Sequence, residues 1–164
     1  MSRPRPKLMK DLPEPLAVPA VPPDDDYVFA EQIGHLLRKA YHRHLAIFQS
    51  NACDPRMTSV QFVTLCALRD HGASTQAELI RATGIDQATI RGIIERLKAR
   101  DLLSFVEDPH DRRKVIVDLT PAGHAAVEAM IPCAKSASER TMGDLSPVER
   151  VALVHVLRKM IEEP

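Results

Sequence analysis

Residues 75–97 read TQAELIRATGIDQATIRGIIERL, and residues 98–124 continue as KARDLLSFVEDPHDRRKVIVDLTPAGH. The first stretch predicts two short helices joined by a tight turn. The second predicts two strands, over 103–107 and 114–119, because the apolar residues change there from a helical period to an alternating one. A short polar loop joins the two strands. The segment therefore predicts a pair of helices followed directly by a β-hairpin.

Helical patterns flank this segment on both sides. Upstream we predict helices over 27–49 and 58–71, and downstream one helix that starts at Pro121 and ends near Gly143, then a last helix from Pro147. A Ser or Thr followed three residues later by Glu or Gln forms a capping box, and three starts carry one: Thr58 with Gln61, Thr75 with Glu78, and Ser146 with Glu149. The predicted fold class is mainly α with a small β-hairpin wing, the winged helix-turn-helix.

The composition is that of a globular chain of one domain plus a tail, with 164 residues, 45% hydrophobic and 27% charged. No run of about 18 apolar residues occurs, and the basic start lacks the apolar stretch of a signal peptide. We therefore expect no membrane segment and a cytoplasmic location. The three cysteines, Cys53, Cys66 and Cys133, have no paired spacing, so neither a disulfide framework nor a cysteine–zinc site is expected.

The fourth predicted helix, 87–100, carries polar residues suited to reading DNA. In a helix-turn-helix the second helix enters the major groove, where glutamine pairs with adenine and arginine with guanine. The predicted contact residues on this helix are Gln87, Ala88, Thr89, Arg91 and Arg96. The helix has four basic residues and one acidic residue, although the neutral net charge of the chain counts mildly against nucleic-acid binding. An amphipathic helix with a solvated charged face is the alternative.

Two neighbouring segments are predicted to contact the rest of the DNA surface. The third helix opens with three capping residues, where free backbone N–H groups bind phosphate: Ser74, Thr75 and Gln76. The hairpin tip carries a charged run: Asp111, Arg112, Arg113 and Lys114. A protruding arginine is attracted to a narrow minor groove, and Asp111 is placed to hold the Arg113 guanidinium. Taken alone, a charged hairpin tip is also typical of a solvated turn.

From Tyr27 to its C-terminus the chain resembles the MarR family of bacterial regulators. The most specific part runs from Leu97 through the Asp-Arg-Arg tip to Leu-Thr-Pro-x-Gly. The resemblance implies a homodimer, formed by the first and last helices, that binds a roughly palindromic operator as a repressor and is released by a small phenolic or carboxylated aromatic. It also implies that Arg113 is the minor-groove arginine, with Asp111 as its partner. The chain is similar, further, to members that control nicotinate breakdown and respond to a hydroxylated nicotinate.

The expected organisation follows from the helical patterns and the resemblance. It comprises a Pro-rich tail over 1–26, dimerisation helices over 27–50 and 121–163, and a DNA-binding lobe over 58–119. Seven of the 13 prolines lie within residues 1–23. Because proline fixes φ and donates no backbone hydrogen bond, we expect an extended tail. It is either a solvated arm or an arm that contacts DNA or the partner subunit.

The first helix carries groups able to bind an aromatic acid. His35, Arg38 and His42 fall on one helical face. An arginine gives a carboxylate two parallel hydrogen bonds, and a histidine can meet a ring hydroxyl or nitrogen. The predicted ligand-binding residues are His35, Arg38, Tyr41, His42 and His44. The alternatives are a solvated polar face for the cluster as a whole and a hydrogen-bonded interface histidine for His44.

Other ways of sensing and other classes of protein stay open. A metal sensor would use some of the seven histidines and is one alternative, but no two of them have HxxxH spacing, and we predict no metal site and no cofactor. A thiol sensor would use Cys53, which lies in a loop, whereas Cys66 on a buried helix and Cys133 after a proline do not look reactive. No nucleophile elbow, phosphate loop or zinc-protease motif indicates an enzyme. A winged-helix scaffold that binds protein is permitted by the neutral net charge.

Overall fold

The computed structural model describes residues 27–107 and 115–162. Its helices are α1 (Ile33–Asn51), α2 (Ser59–His71), α3 (Gln76–Thr83), α4 (Gln87–Lys98), α5 (Pro121–Met142) and α6 (Pro147–Ile161). Its strands are β1 (Ser74–Thr75), β2 (Leu103–Glu107) and β3 (Val115–Leu119). The predicted fold class, mainly helical with a small sheet after the helix-turn-helix, is confirmed. The boundary between two compact units lies within α1, between Leu36 and Leu37.

The shorter unit differs from the sequence prediction at its start. The sequence predicts one helix from Tyr27, whereas the structure has a 3₁₀ turn at Phe29–Glu31 and starts α1 at Ile33. Gln32 separates the two because its backbone is extended, with φ −66° and ψ 130°. The Gln32 side-chain amide donates to the Val28 carbonyl oxygen at 3.1 Å. This hydrogen bond links the Gln32 side chain to the turn, and the extended Gln32 backbone interrupts the helical pattern.

In the longer unit the predicted helix starts are confirmed. Capping boxes are present at Thr58, Thr75 and Ser146. At the first of these, the Thr58 backbone N–H donates to the Gln61 side chain at 2.9 Å, and the Gln61 backbone N–H donates back to the Thr58 hydroxyl at 3.3 Å. Each cap satisfies N–H groups that the first turn leaves unpaired, and contributes about 1 kcal/mol.

The core of the longer unit lies where α2, α4 and α5 pack against the sheet. All four apolar residues that define the inner side of α4 are buried: Ile90, Ile93, Ile94 and Leu97. Each buried side chain of this size stabilises the fold by roughly 1.5–3 kcal/mol. Their burial fixes the rotation of α4 about its axis, so the opposite side of the helix faces outward. Helix α2 is less fully buried than its pattern predicts, because Val63 is 41% exposed.

The sheet contains the predicted hairpin and one strand that the sequence does not indicate. Strands β2 and β3 pair antiparallel, with Leu103 opposite Leu119 and Phe105 opposite Val117. Strand β1 pairs with the other edge of β3, in the order β1-β3-β2. With two residues, β1 is too short to show an alternating pattern. The sheet holds the segment that leads into α3 against the wing.

Close packing at the start of α5 explains the Leu-Thr-Pro-x-Gly sequence. The Thr120 hydroxyl accepts from the Gly123 backbone N–H at 3.0 Å and donates to the Asp101 carbonyl oxygen at 2.6 Å. A Cβ atom on buried Gly123 would collide with the carbonyl oxygen of Leu102, so only glycine allows this approach. The motif therefore packs the start of α5 closely against the turn that follows α4.

The expectation for the cysteines is wrong, because Cys53 and Cys133 form a disulfide bond. Cys53 lies in the α1–α2 loop and Cys133 lies within α5, with their Cα atoms 5.9 Å apart. The two residues are 80 positions apart in sequence, so only the packing of the folded chain brings them together. Cys66 is free, and burial raises the pKa of its thiol, which agrees with its predicted lack of reactivity.

Candidate nucleic-acid interface

The N-terminal end of α4 presents polar side chains to solvent. The helix begins at Gln87 because the Asp86 carboxylate accepts from the Thr89 backbone N–H at 2.9 Å. Hydrogen bonds from Thr89 also hold the pKa of Asp86 below its usual value, so the cap is ionised at neutral pH. Four residues predicted to meet base edges are exposed: Gln87, Ala88, Thr89 and Arg91. The structure thus leaves this end of α4 open to a large partner.

A tight turn places the start of α3 next to the start of α4. Gly84 ends α3 in the left-handed conformation, with φ 67°, which glycine adopts without steric cost. The Gln76 side-chain amide donates to the Gln87 carbonyl oxygen at 3.4 Å. Thr75 is the N-cap of α3, and its hydroxyl is engaged by Glu78. Gln76 and Gln87, both predicted DNA contacts, therefore lie side by side.

Ser74 does not open α3, so its predicted place at the start of that helix is wrong. Ser74 belongs to β1, opposite Val117, and α3 starts only at Gln76. Its side chain is 7% exposed, and its hydroxyl donates to the Gly72 carbonyl oxygen at 2.9 Å. The Ser74 hydroxyl is therefore not free to bind a phosphate, and a DNA contact through the Ser74 backbone stays a prediction.

A groove runs between α4 and the sheet, with a cavity of about 420 Å³. We call it the α4–sheet groove, and the residues that line it include Arg91, Glu95, Lys98, Phe105, Val106 and Val115. The Lys98 ammonium lies 4.4 Å from the centre of the Phe105 ring, a cation–π contact. Arg91 is exposed beside this groove. Two positive side chains, Arg91 and Lys98, thus line this groove together with the acidic Glu95.

The other two arginines in and after α4 differ in how exposed their side chains are. Arg96 is exposed and lies alongside Gly92 on the helix surface. Arg100 is half-buried and ion-paired with Asp54 of the α1–α2 loop. It also donates to the Arg56 carbonyl oxygen at 3.3 Å. Arg100 therefore adds little to the exposed positive charge that the sequence assigns to this helix.

The wing-tip residues lie outside the described part of the chain: Asp111, Arg112, Arg113 and Lys114. The two strands that lead to the tip are paired up to Glu107 and Val115. The proposed contacts of Arg113 and Asp111 stay predictions.

The residues predicted to bind a ligand lie in different surroundings along α1. In the longer unit, Arg38, Tyr41 and His42 are exposed. The Nδ1 atom of half-buried His44 lies 2.9 Å from the Thr141 hydroxyl oxygen. The Thr141 hydroxyl donates to the Ala137 carbonyl oxygen at 2.7 Å, so His44 Nδ1 is the donor to Thr141.

His35, in the shorter unit, packs its ring against that of Phe29, with 4.3 Å between ring centres. Across residues 27–107 and 115–162, no group of three His, Cys, Asp or Glu side chains is arranged to hold a metal ion. A ligand role for the five residues stays a prediction.

Comparison with known proteins decides the family. Residues 57–114 match the MarR family model. Over 136 residues the chain is 67% identical to the HTH-type transcriptional repressor NicR of Pseudomonas putida, covering 83% of this chain and 86% of NicR. The chain belongs to the MarR family. The resemblance seen in the sequence, including the similarity to nicotinate regulators, is thereby confirmed.

Solved structures of other regulators share this fold. The structure of BpsR from Bordetella bronchiseptica, whose DNA binding is regulated by 6-hydroxynicotinic acid, has a TM-score of 0.79 and 57% sequence identity, covering 85% of this chain and 99% of that one. The transcriptional repressor CouR, bound to a 23-mer DNA duplex, has a TM-score of 0.73 and 25% identity, covering 81% and 94%. No helix in the described ranges is both long enough and apolar enough to cross a membrane.

Some residues of this candidate interface and its surroundings are not indicated by the sequence pattern. Lys98 and Phe105 line the α4–sheet groove beside Arg91, and Asp54 holds Arg100. The alternation of β2 could have placed Phe105 on the same face as Leu103. No local pattern relates Asp54 to Arg100, because the pair forms only when the α1–α2 loop packs against the end of α4.

Proposed function

We propose that this MarR-family chain is a homodimeric, cytoplasmic transcriptional repressor that binds a pseudo-palindromic operator and is released by a small aromatic carboxylate. The observation that carries the proposal is the exposed polar end of α4, held outward by the burial of the opposite side. A helix presented in this way fits the major groove. The identity with the repressor NicR, and the fold shared with DNA-bound CouR, support the same role here.

A second copy of the chain is the proposed occupant of an exposed apolar surface on α6. None of the residues of α6, all of which the structure describes, is buried. Its exposed apolar residues are Val148 (78%), Val151 (72%), Leu153, Val156, Met160 and Ile161 (78%). So many large apolar side chains left exposed along one helix are typical of a protein interface. It supports dimerisation through 27–50 and 121–163, with the DNA-binding lobe over 58–119.

A hydroxylated nicotinate is the proposed class of effector. The DNA binding of BpsR is regulated by 6-hydroxynicotinic acid, and this chain is 57% identical to BpsR. Arg38 offers an exposed guanidinium for the carboxylate, with Tyr41 and His42 on neighbouring positions of α1. In the DNA-bound dimer the two α4 helices lie about 34 Å apart. The effector would favour another spacing, and it shifts the population only by its differential affinity for the two states.

Arg91→Ala is expected to weaken specific operator binding by roughly 1–3 kcal/mol and to relax the preference at one base position, because Arg91 reads a guanine. Fluorescence anisotropy on the operator and on single base-pair variants measures both effects. Arg81→Ala is the matched control, since it removes the same charge from an exposed position in the last turn of α3. Unchanged discrimination in Arg91→Ala would show that α4 does not read the operator as proposed.

Arg38→Ala is expected to leave operator affinity in place and to abolish most of the effector response. A coupling of about 5–150-fold is typical between an effector and its site, and without the guanidinium the carboxylate loses its partner. The measurement is the operator Kd with and without 6-hydroxynicotinic acid. The neighbouring exposed Lys39 gives the control Lys39→Ala, which should respond as wild type. A full response in Arg38→Ala would remove Arg38 from the effector site.

A further inference from the structure

The Cys53–Cys133 bond closes the chain around the DNA-binding lobe. The whole of 58–119, with α2, α3, α4 and the sheet, lies between the two cysteines in sequence. Cys53 precedes the lobe in the α1–α2 loop, and Cys133 lies in the α5 helix that leaves the lobe. The bond thus ties the chain that enters the lobe to the chain that leaves it. A link at this position restrains movement of the lobe relative to α5.

The loop that contains Cys53 is also in contact with the end of α4. The Asp54 carboxylate, next to Cys53, accepts from the Arg56 backbone N–H at 2.9 Å and from the guanidinium of Arg100. These two contacts hold the pKa of Asp54 below its usual value. At the other end of the loop, Asn51 accepts from Arg140 of α5. One short loop therefore joins α4, α1 and α5, and the disulfide is its covalent attachment to α5.

We propose that Cys53 and Cys133 are a reversible thiol–disulfide modification site, and that the oxidised form restrains the lobe and weakens the response to the effector. The second part rests on the proposed function. The cysteines have the Cα separation of an ordinary disulfide, 5.9 Å. In cytoplasmic proteins, the location proposed for this chain, such a bond is commonly transient or redox-sensing. The cysteine pair would regulate the repressor in a second way, and it is separate from the residues proposed to bind the effector.

The oxidant is a low-molecular-weight disulfide of the glutathione class. The Cys53 thiolate, at the more exposed position, attacks one sulfur of that disulfide, forms a mixed disulfide and displaces one small thiolate. The Cys133 thiolate then attacks the Cys53 sulfur and displaces the second. Two protein thiols lose two protons and two electrons, and one small disulfide becomes two small thiols. A reducing dithiol reverses both steps.

Cys66, the third cysteine, serves as a control for the reactivity of Cys53 and Cys133. It is free, half-buried on α2, and its thiol pKa is raised by burial, so its thiolate is scarce at neutral pH. We expect it to stay reduced under the same conditions. The variant Cys66→Ser should therefore keep the full redox behaviour, whereas Cys53→Ser and Cys133→Ser should each lose it.

The first test is a thiol count with intact-mass analysis of the full-length protein, fully reduced and then incubated with oxidised glutathione. The expected product loses two of its three thiols and the mass of two hydrogen atoms, carries no glutathione, and is restored by dithiothreitol. Peptide mapping should place the bond between Cys53 and Cys133. A lasting glutathione adduct on Cys53 with Cys133 still free, or a bond between two subunits, would overturn the proposal.

The second test measures the operator Kd of reduced and oxidised wild type, each with and without 6-hydroxynicotinic acid as the probe. The reduced protein should show the full effector-induced change in Kd, and the oxidised protein a change at least several-fold smaller. In Cys53→Ser, which lacks the attacking thiol, the operator Kd values should be the same after reduction and after incubation with oxidised glutathione. Equal responses in both redox states would overturn the regulatory part while leaving the proposed function intact. No operator binding in either state would overturn the proposed function and the regulatory part together, while the thiol count still decides the modification site.

Discussion

Breaking the Cys53–Cys133 bond is expected to lower the free energy of unfolding by about 4 kcal/mol. The bond closes a segment of 80 residues, and the entropy that a cross-link removes from the unfolded chain grows with the length of the closed loop. The measurement is urea denaturation of oxidised and reduced wild type at one protein concentration, because the stability of a dimer depends on concentration.

The matched control for this comparison is Cys53→Ser, in which the reductant should change nothing. Cys66→Ser should retain the full difference between the two redox states, since Cys66 is free. Identical denaturation curves for oxidised and reduced wild type would contradict the expectation. They would mean that the bond does not constrain the unfolded chain as its place in the sequence requires.

Affinity for the operator is expected to fall by about 10³–10⁵ between 50 and 200 mM salt, the change produced by releasing counterions from roughly six to ten phosphates. The neutral net charge of the chain does not prevent this, because the relevant charge is local: Arg91, Arg96 and Lys98 lie on α4, and Arg96 and Arg91 are exposed. Anisotropy titrations across a salt series give the slope of log Kd against log salt.

The salt series also separates a DNA-binding repressor from a winged-helix scaffold that binds protein. A scaffold shows no such DNA affinity at any salt concentration. The double variant Arg91→Ala/Arg96→Ala should reduce the slope as well as the affinity, whereas Arg81→Ala on α3 should change the slope less. A flat salt dependence would contradict electrostatic binding to phosphates.

The parts of the fold that follow from short-range chemistry could be predicted from the sequence. Thr58, Thr75 and Ser146 were identifiable as caps because each has its hydrogen-bonding partner three residues away. The outward end of α4 followed from the spacing of its buried residues. By contrast, the extended backbone of Gln32 interrupts the first helical pattern, and the spacing of apolar residues does not reveal this break.

The parts that depend on contacts distant in sequence could not be predicted. Ser74 looked like a helix cap, yet pairing with β3 draws it into the sheet. Arg100 counted as part of the basic face of α4, but it is neutralised by Asp54, 46 residues away in sequence. The Cys53–Cys133 bond is likewise decided by the packing of a loop on α5. In each case the local pattern is correct and a tertiary contact changes the role of the residue.

The most direct test of the central claim, that the α4 helices of two subunits occupy successive major grooves, is dimethyl sulfate footprinting on the operator. The reagent methylates guanine N7 in the major groove. We expect two patches of protected guanines on one face of the duplex, centred about 10 base pairs apart, and we expect the guanine contacted by Arg91 to lose its protection in Arg91→Ala. A single patch, or two patches that Arg91→Ala leaves unchanged, would contradict it.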